Sequence, residues 1–152
     1  HDVRSEWLNG GTTTWRQDIL QNNPHEEICS KWAVSEDLIF SYPIGKIYPL
    51  YISKDASVEI DNLFSDTENA KILIYKGKTQ FIWGAYFVSK NSDMSIFRFM
   101  YRQMLFLITT LIKGIINKNK LFTAVGILQG FLIVTPALIT NKNFTKLIEK
   151  HT

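Results

Sequence analysis

The pattern of apolar and polar residues changes near residue 94. Most positions from Ile96 to Ile116 are Leu, Ile, Phe, Met or Tyr. On a helical wheel, six polar or basic residues between positions 95 and 120 fall within an arc of about 60°; they are Ser95, Arg98, Arg102, Thr109, Lys113 and Lys120. Helices in water usually show a wider polar face. The pattern therefore predicts a helix that lies at a membrane surface or is deeply packed.

The next stretch, residues 121–141, contains no charged residue. Lys118 and Lys120 precede it and Lys142 follows it. A stretch of this length is sufficient to cross a hydrocarbon core of about 30 Å, although Gln129 and Pro136 lower its hydrophobicity. The sequence leaves open whether the segment spans a membrane or lies on it.

The first 60 residues alternate turn signals with short apolar runs. Thr12–Thr14 is expected to cap a short helix through Trp15, Ile19 and Leu20, which Asn22-Asn23-Pro24 ends. Ser35 is expected to be the N-cap of a second helix. In that helix Glu36 and Asp37 occupy the first turn, Leu38, Ile39 and Tyr42 form the buried face, and Pro43 ends or kinks it.

Two strands and one ambiguous segment follow. The run Ile47–Ser53 is β-branched and aromatic, which predicts a strand, and Pro49 favours an edge position. Residues 57–60 predict a weaker strand. Residues 71–89 fit either a hairpin that turns at Lys76-Gly77-Lys78 or a helix that carries Phe81, Tyr86 and Phe87.

Charge divides the chain at the same place as hydrophobicity. The formal net charge is +3. Residues 1–93 carry 9 Lys or Arg and 13 Asp or Glu, a net of −4. Residues 94–152 carry 8 Lys or Arg against the single acidic Glu149, a net of +7. This asymmetry predicts two regions, 1–93 and 94–152, that meet different surroundings, with the second associated with a membrane.

Composition excludes several classes of function. The single Cys29 cannot form an internal disulfide, and one cysteine with the scattered His1, His25 and His151 does not make a zinc site. The basic residues lie among long aliphatic side chains rather than exposed aromatic ones, which argues against nucleic-acid binding. The first residue is not Met and no leader pattern follows it, so we expect a fragment of a longer protein.

Two short patches contain residue types that sugar transfer needs. Transfer with inversion requires a carboxylate that takes the proton of the attacking hydroxyl, and groups that stabilise the departing diphosphate. Either Asp37 or Glu36 could be that base. Gly10-Gly11 allows the backbone to approach a ligand closely, and Trp7 and Trp15 offer aromatic faces for a sugar ring.

In order and spacing, these patches resemble the acceptor-side portion of a family-2 glycosyltransferase. The stretch EWLNGGTTTWRQDIL, residues 6–20, is similar to the family's Trp and Gly-Gly segment with its following aromatic-Arg helix. The stretch SEDLIFSY, residues 35–42, is similar to its Glu-Asp helix, and Gly45, Ile47–Ser53 and Asp55-Ala56 to the glycine, strand and Asp-Ala dipeptide that follow. The resemblance covers about residues 5–60.

The resemblance implies a role for each matching residue. Asp37 would be the catalytic base and Glu36 its acidic neighbour. The sugar-binding loop would be Trp7, Asn9, Gly10 and Gly11, supported by a helix with Trp15 and Arg16. The implied fold is α/β: an incomplete GT-A-like (Rossmann-like) domain portion over 1–93, followed by apolar and basic C-terminal helices over 94–152.

The resemblance also implies partners. The parent protein would transfer a sugar from a nucleotide-diphosphate sugar to a glycan or lipid-linked acceptor, in the synthesis of bacterial surface polysaccharides. It would lie in the cytoplasm at the inner face of the cell membrane, as a peripheral or integral protein. A divalent cation, Mg²⁺ or Mn²⁺, is implied by the family alone, because the chain lacks the family's Asp-x-Asp motif and its nucleotide-binding half.

The chain departs from the family pattern at two places. Pro43 stands where many members have Arg, and Val58-Glu59-Ile60-Asp61 stands where many have a metal-binding His. Two other classes of function therefore stay open. One is a non-enzymatic module that anchors or recruits a partner at a membrane. The other is a soluble domain that binds glycans through Trp7 and Trp15.

Overall fold

The computed structural model describes residues 2–8, 13–28, 30, 34–55, 69–139 and 144–152. Their elements in chain order are β1 (Val3–Ser5), α1 (Gln17–Asn22), α2 (Glu36–Gly45), β2 (Leu50–Ile52), α3 (Ala70–Lys90), α4 (Ile96–Ile116), α5 (Lys118–Ile139) and α6 (Phe144–His151). The chain divides into two units. Unit 1 comprises His1–Glu27 and Ser35–Phe64, and unit 2 comprises Ile28–Val34 and Ser65–Thr152.

The predicted α/β, GT-A-like fold is wrong. Helices make up 70% of the described residues, which contain six helices and one small two-stranded sheet. A Rossmann-like domain is built on parallel strands joined by helices, whereas β1 and β2 pair antiparallel, with Val3 opposite Ile52 and Ser5 opposite Leu50. The expected strand over 57–60 lies outside the described residues.

The fold was predicted wrongly because a short apolar run in the sequence fits either a strand or a buried helix. The run Ile47–Ser53 forms a strand only over its last part, Leu50–Ile52. Residues 71–89 form one continuous helix that passes through Gly77, so the hairpin alternative is wrong. An apolar run of this kind fits a buried helix as well as a strand, and close packing against α5 decides between them here.

Unit 1 is organised around a small core. The buried apolar side chains are Ile19, Ile44 and Leu50, and Leu8, Trp15, Phe40 and Tyr48 pack against them. The helix expected after Ser35 is confirmed, but it runs two residues past Pro43 to Gly45. Its fully buried positions are Ser41 and Ile44, rather than the expected Leu38, Ile39 and Tyr42.

Unit 2 is held together by close contact between α3 and α5. A Cβ added to Gly126 would lie 2.1 Å from the carbonyl oxygen of Ile74, and one added to Gly77 would lie 2.5 Å from that of Thr123. The two backbones therefore approach to a distance that only glycine permits. Small residues in apolar helices commonly allow such packing.

The helix expected from Ile96 is confirmed as α4, where the Ser95 side chain accepts a hydrogen bond from the backbone N–H of Arg98. Among the described residues, α4 and the Lys118–Leu138 part of α5 are long and apolar enough to cross a membrane. In the most apolar stretch of α4 only 17% of residues are buried, against 33% in α5. Packing within the described structure thus leaves most of the apolar surface of α4 uncovered.

Candidate functional site

Hydrogen bonds link the first sequence patch to the helix that carries the second. The backbone N–H of Leu8 donates to the Ser41 hydroxyl oxygen at 2.9 Å, and that hydroxyl donates to the Leu8 carbonyl at 3.3 Å. Ser41 is buried in α2, and Glu36 and Asp37 form the first turn of the same helix. Unit 1 therefore holds the segment containing Trp7 next to the acidic helix, although Asn9, Gly10 and Gly11 lie outside the described residues.

Residues from both sequence patches line a pocket of about 200 Å³ in unit 1. Three of the predicted site residues line it, namely Trp15, Glu36 and Asp37. The remaining lining residues are Leu8, Thr13, Leu20, His25 and Phe40. The pocket thus combines two carboxyl groups with a largely aromatic wall.

Phe40 is the centre of the aromatic wall. The His25 ring stacks on it, with ring centroids 3.8 Å apart and planes 13° from parallel. Trp15 meets it edge to face at 5.2 Å, and the indole N–H of Trp15 donates to the Thr13 hydroxyl at 3.0 Å. Each ring is therefore oriented by a neighbour, which gives the pocket a defined apolar side.

The acidic pair lies where a helix begins. Asp37 is partly buried and its carboxylate accepts the backbone N–H of Leu38 at 2.9 Å, while Glu36 is exposed. Unpaired N–H groups at a helix start favour negative charge. Ser35 stands at the N-cap in a left-handed conformation, φ 65°, and its side chain makes no capping hydrogen bond. The expected capping role of its hydroxyl is therefore wrong.

Two other predicted site residues do not line this pocket. Trp7 is 42% exposed, and its carbonyl accepts a hydrogen bond from the Ser5 hydroxyl at 2.5 Å. Arg16 precedes α1 as its N-cap residue and forms an exposed ion pair with Asp18 at 2.6 Å. Through this hydrogen bond the guanidinium lowers the pKa of Asp18. Trp15 also precedes α1, so neither it nor Arg16 lies on the helix that the resemblance implied.

Sequence reasoning missed His25 and Phe40. Phe40 follows Glu36 by four residues and Asp37 by three, so helical spacing alone places it on the same face as the acidic pair. That signal was available in the sequence. His25 follows the turn at Asn23-Pro24, and only the fold brings its ring to Phe40, so no pattern along the chain identifies it.

A metal site is not found among the described residues, because they contain no group of three or more His, Cys, Asp or Glu side chains that could hold an ion. Glu59 and Asp61 lie outside the described residues. Comparison with protein-family models, curated proteins and solved structures found no match to this chain. Function is therefore inferred from the side chains of the pocket and from the exposed surface of unit 2.

Proposed function

We propose that this chain supplies the base and one wall of a sugar-transfer site, in which an acceptor hydroxyl attacks a nucleotide-diphosphate sugar with inversion. The observation that carries the proposal is the grouping of Asp37, Glu36 and Trp15 in one pocket of unit 1. The order of these residues along the chain, which resembles that of family-2 glycosyltransferases, adds support.

Asp37 is better suited than Glu36 to be the base. Its partly buried carboxylate is oriented by the Leu38 N–H, whereas Glu36 is exposed to water. A general base must be held within hydrogen-bond reach of the proton that it takes. In this mechanism Asp37 accepts the proton of the acceptor hydroxyl as that oxygen bonds to the anomeric carbon and the diphosphate leaves.

The rest of the pocket fits the apolar side of a sugar. The rings of Trp15 and Phe40 present carbon surfaces to the C–H groups of a pyranose, and Glu36 offers acceptor oxygens to its hydroxyls. A volume of about 200 Å³ is below the ~300–1,000 Å³ of drug-sized ligand sites. This size favours one sugar ring of the acceptor rather than the whole donor, whose nucleotide would bind to another part of the parent protein.

The test compares Asp37→Asn with Glu27→Gln, an exposed carboxylate of unit 1 that does not line the pocket. Both changes are made in the complete protein, and transfer of a labelled sugar from a panel of nucleotide-diphosphate sugars to membrane acceptors is measured. We expect Asp37→Asn to lower turnover by about 10²–10⁴-fold, the usual range for loss of a general base. Donor binding, measured by equilibrium dialysis, should stay unchanged in both variants.

Near-normal turnover of Asp37→Asn would contradict its assignment as the base. A parallel Glu36→Gln variant separates the two carboxylates, because the exposed neighbour should affect acceptor affinity more than turnover. The opposite result, with Glu36→Gln inactive and Asp37→Asn active, would reverse their roles.

A second candidate function is attachment to a membrane without catalysis, favoured by the surface of α4. Large apolar side chains along this helix are exposed, and Ile116 reaches 94%. The net charge of +7 over residues 94–152 would add attraction to anionic lipids. We infer that unit 2 associates with the inner, cytoplasmic face of the cell membrane, and this inference is shared by the catalytic and the anchoring proposals.

Flotation of the full chain with lipid vesicles tests this attachment. We expect flotation with vesicles of phosphatidylcholine and phosphatidylglycerol, and less flotation after Ile112→Asp. The matched control is Ile47→Asp, which changes an exposed isoleucine of unit 1 and should leave flotation intact. Failure of the unmodified chain to float would contradict membrane association in both proposals. Flotation without any sugar transfer by the complete protein would favour the anchoring function alone.

A further inference from the structure

Two neighbouring cavities of unit 2 share the side chains of Lys150 and His151. The first, of about 610 Å³, is also lined by Tyr75, Lys78 and Glu149. The second, of about 370 Å³, is lined by Ile133, Pro136, Ala137, Lys146 and Leu147 besides the shared pair. A basic cavity therefore adjoins one whose unshared lining is apolar apart from Lys146.

The first cavity carries an excess of positive charge. Three of its side chains are basic, and Glu149 is the one acidic side chain in its lining. Among the described residues, neither Lys78 nor Lys150 forms an ion pair. Burial lowers the pKa of Lys78. Burial also lowers the pKa of His151, as do the charges of Lys150 and Lys78. The positive charges of Lys78 and Lys150 thus disfavour the imidazolium form of His151, and an anion between the three side chains would stabilise that form.

Hydrogen bonds to the chain fix one wall of this cavity. The Tyr75 hydroxyl donates to the carbonyl of Thr152, and the hydroxyls of Ser30 and Thr152 lie 2.9 Å apart. These contacts hold the end of α6 against α3. The Lys78 ammonium lies 5.2 Å from the centre of the Tyr75 ring. The basic groups are therefore presented from two helices whose ends are tied together.

The second cavity lies at the end of a candidate membrane span. Pro136 and Ala137 belong to the last turn of the Lys118–Leu138 stretch. The ends of a membrane-spanning helix lie where acyl chains give way to lipid headgroups. The apolar side chains of this cavity suit an acyl chain, and its Lys150 and His151 are shared with the basic cavity.

We propose that these two cavities bind one anionic phospholipid. Its phosphate lies between Lys78, Lys150 and His151, which donate charge-assisted hydrogen bonds, and the first part of an acyl chain lies along Pro136, Ala137 and Leu147. The site is separate from the sugar-transfer pocket of unit 1 and does not depend on the function proposed for it. Free phosphate has the same headgroup chemistry but no acyl chain, so the test separates the two sources.

The test follows the imidazole resonance of His151 by NMR in the full chain, kept in an uncharged detergent. The probes are dihexanoyl phosphatidic acid, inorganic phosphate and dihexanoyl phosphatidylcholine. We expect phosphatidic acid to raise the pKa of His151, because an anion stabilises the imidazolium. Inorganic phosphate should need at least tenfold higher concentration for the same rise, and phosphatidylcholine should cause none. His25, in unit 1, is the internal control and should not respond.

The double change Lys78→Gln and Lys150→Gln should weaken phosphatidic acid binding about 30-fold, since each lysine near a lipid phosphate contributes about 1 kcal/mol. The control double change Lys113→Gln and Lys120→Gln removes the same charge outside both cavities. An unchanged pKa of His151 in the unmodified chain would overturn the proposal, as would equal potency of inorganic phosphate. An equal loss of binding in the control double variant would show attraction by net charge and would also overturn it.

Discussion

Units 1 and 2 keep their folds by different means. Among the described residues of unit 1 the buried apolar side chains are Ile19, Ile44 and Leu50, and the Ser41 hydroxyl joins α2 to the backbone of Leu8. In unit 2, α3 alone carries a larger set of buried apolar side chains, and glycines bring its backbone against α5. The described core of unit 1 is therefore small, whereas the packing of unit 2 depends on close contact between the backbones of α3 and α5.

The exposed side chains of the two units also differ. The described part of unit 1 exposes its ion pair, most of α1 and Glu36, together with separate apolar side chains such as Ile47 and Tyr51. Unit 2 exposes a nearly continuous apolar side of α4. Soluble monomers rarely expose apolar patches of this extent, so the surface of α4 is compatible with the proposed association of unit 2 with a membrane.

The largest effect on stability should come from Gly126→Ala. The added methyl would meet the backbone oxygen of Ile74 at 2.1 Å, and backbone cannot move aside without separating α3 from α5. We expect a loss of about 1–3 kcal/mol, the usual range for an overpacked core, measured as thermal unfolding by circular dichroism in detergent.

Gly84→Ala is the matched control in the same unit. There the added methyl would meet the Phe99 ring at 2.9 Å, and a side chain can rotate away. A loss as large for Gly84→Ala as for Gly126→Ala would contradict the role given to backbone contact between α3 and α5.

Gly45→Ala should damage unit 1 alone. Its methyl would lie 2.5 Å from the backbone oxygen of Glu6, so α2 would move away from the segment that leads to Trp7. Because the core of unit 1 is small, we expect its Trp fluorescence and its His25 resonance to lose their native signals. The helical signal of unit 2 should persist, and simultaneous loss of both would contradict the division into two units.

Lys150→Gln should raise the pKa of His151. Lys150 is one of the charges that lower this pKa, so its removal makes the imidazolium easier to form. In the unmodified chain the folded pKa lies below the ordinary value of 6.5. Stability from this group is therefore present above that value and lost as the pH falls through the folded pKa. NMR titration gives the pKa directly, and no rise would contradict the contribution of the Lys150 charge to this lowering.

The smallest effect is expected for Arg16→Gln. The pKa of Asp18 should rise towards its ordinary value, because its hydrogen bond with Arg16 is the main cause of the lowering. Both side chains are exposed, so thermal stability should scarcely change. A large drop in the melting temperature would show that this pair contributes more to unit 1 than its exposure indicates.

Helices with one dominant pattern were predictable from the sequence. The start of α4 at Ile96 follows from Ser95 and the apolar run behind it, and the start of α2 follows from Glu36 and Asp37, although the Ser35 hydroxyl does not cap it. In both cases local chemistry and tertiary packing favour the same element. Residues 71–89 were not predictable, because only contact with α5 excludes a turn at Gly77.

The fold class and the position of His25 in the pocket depend on tertiary contacts, which no local sequence pattern predicts. The run Ile47–Ser53 predicted part of an α/β sheet, but among the described residues its short strand pairs with β1 alone. Asp37 and Trp15 were identified from residue chemistry and order, and Phe40 could have been found from helical spacing. His25 could not, because it reaches the pocket through the folding of the loop after α1.

The contrast between the two units is tested most directly by cysteine labelling in membranes. In a Cys29→Ser background, single cysteines replace Tyr51 in unit 1 and Ile112 in α4, which are similarly exposed at 57% and 60%. A water-soluble maleimide is added to open membrane fragments carrying the complete protein. We predict rapid labelling of Tyr51→Cys and protection of Ile112→Cys until the membrane is dissolved and the protein denatured. Equal labelling of the two cysteines in intact membrane fragments would contradict the claim that α4 faces lipid while unit 1 faces water.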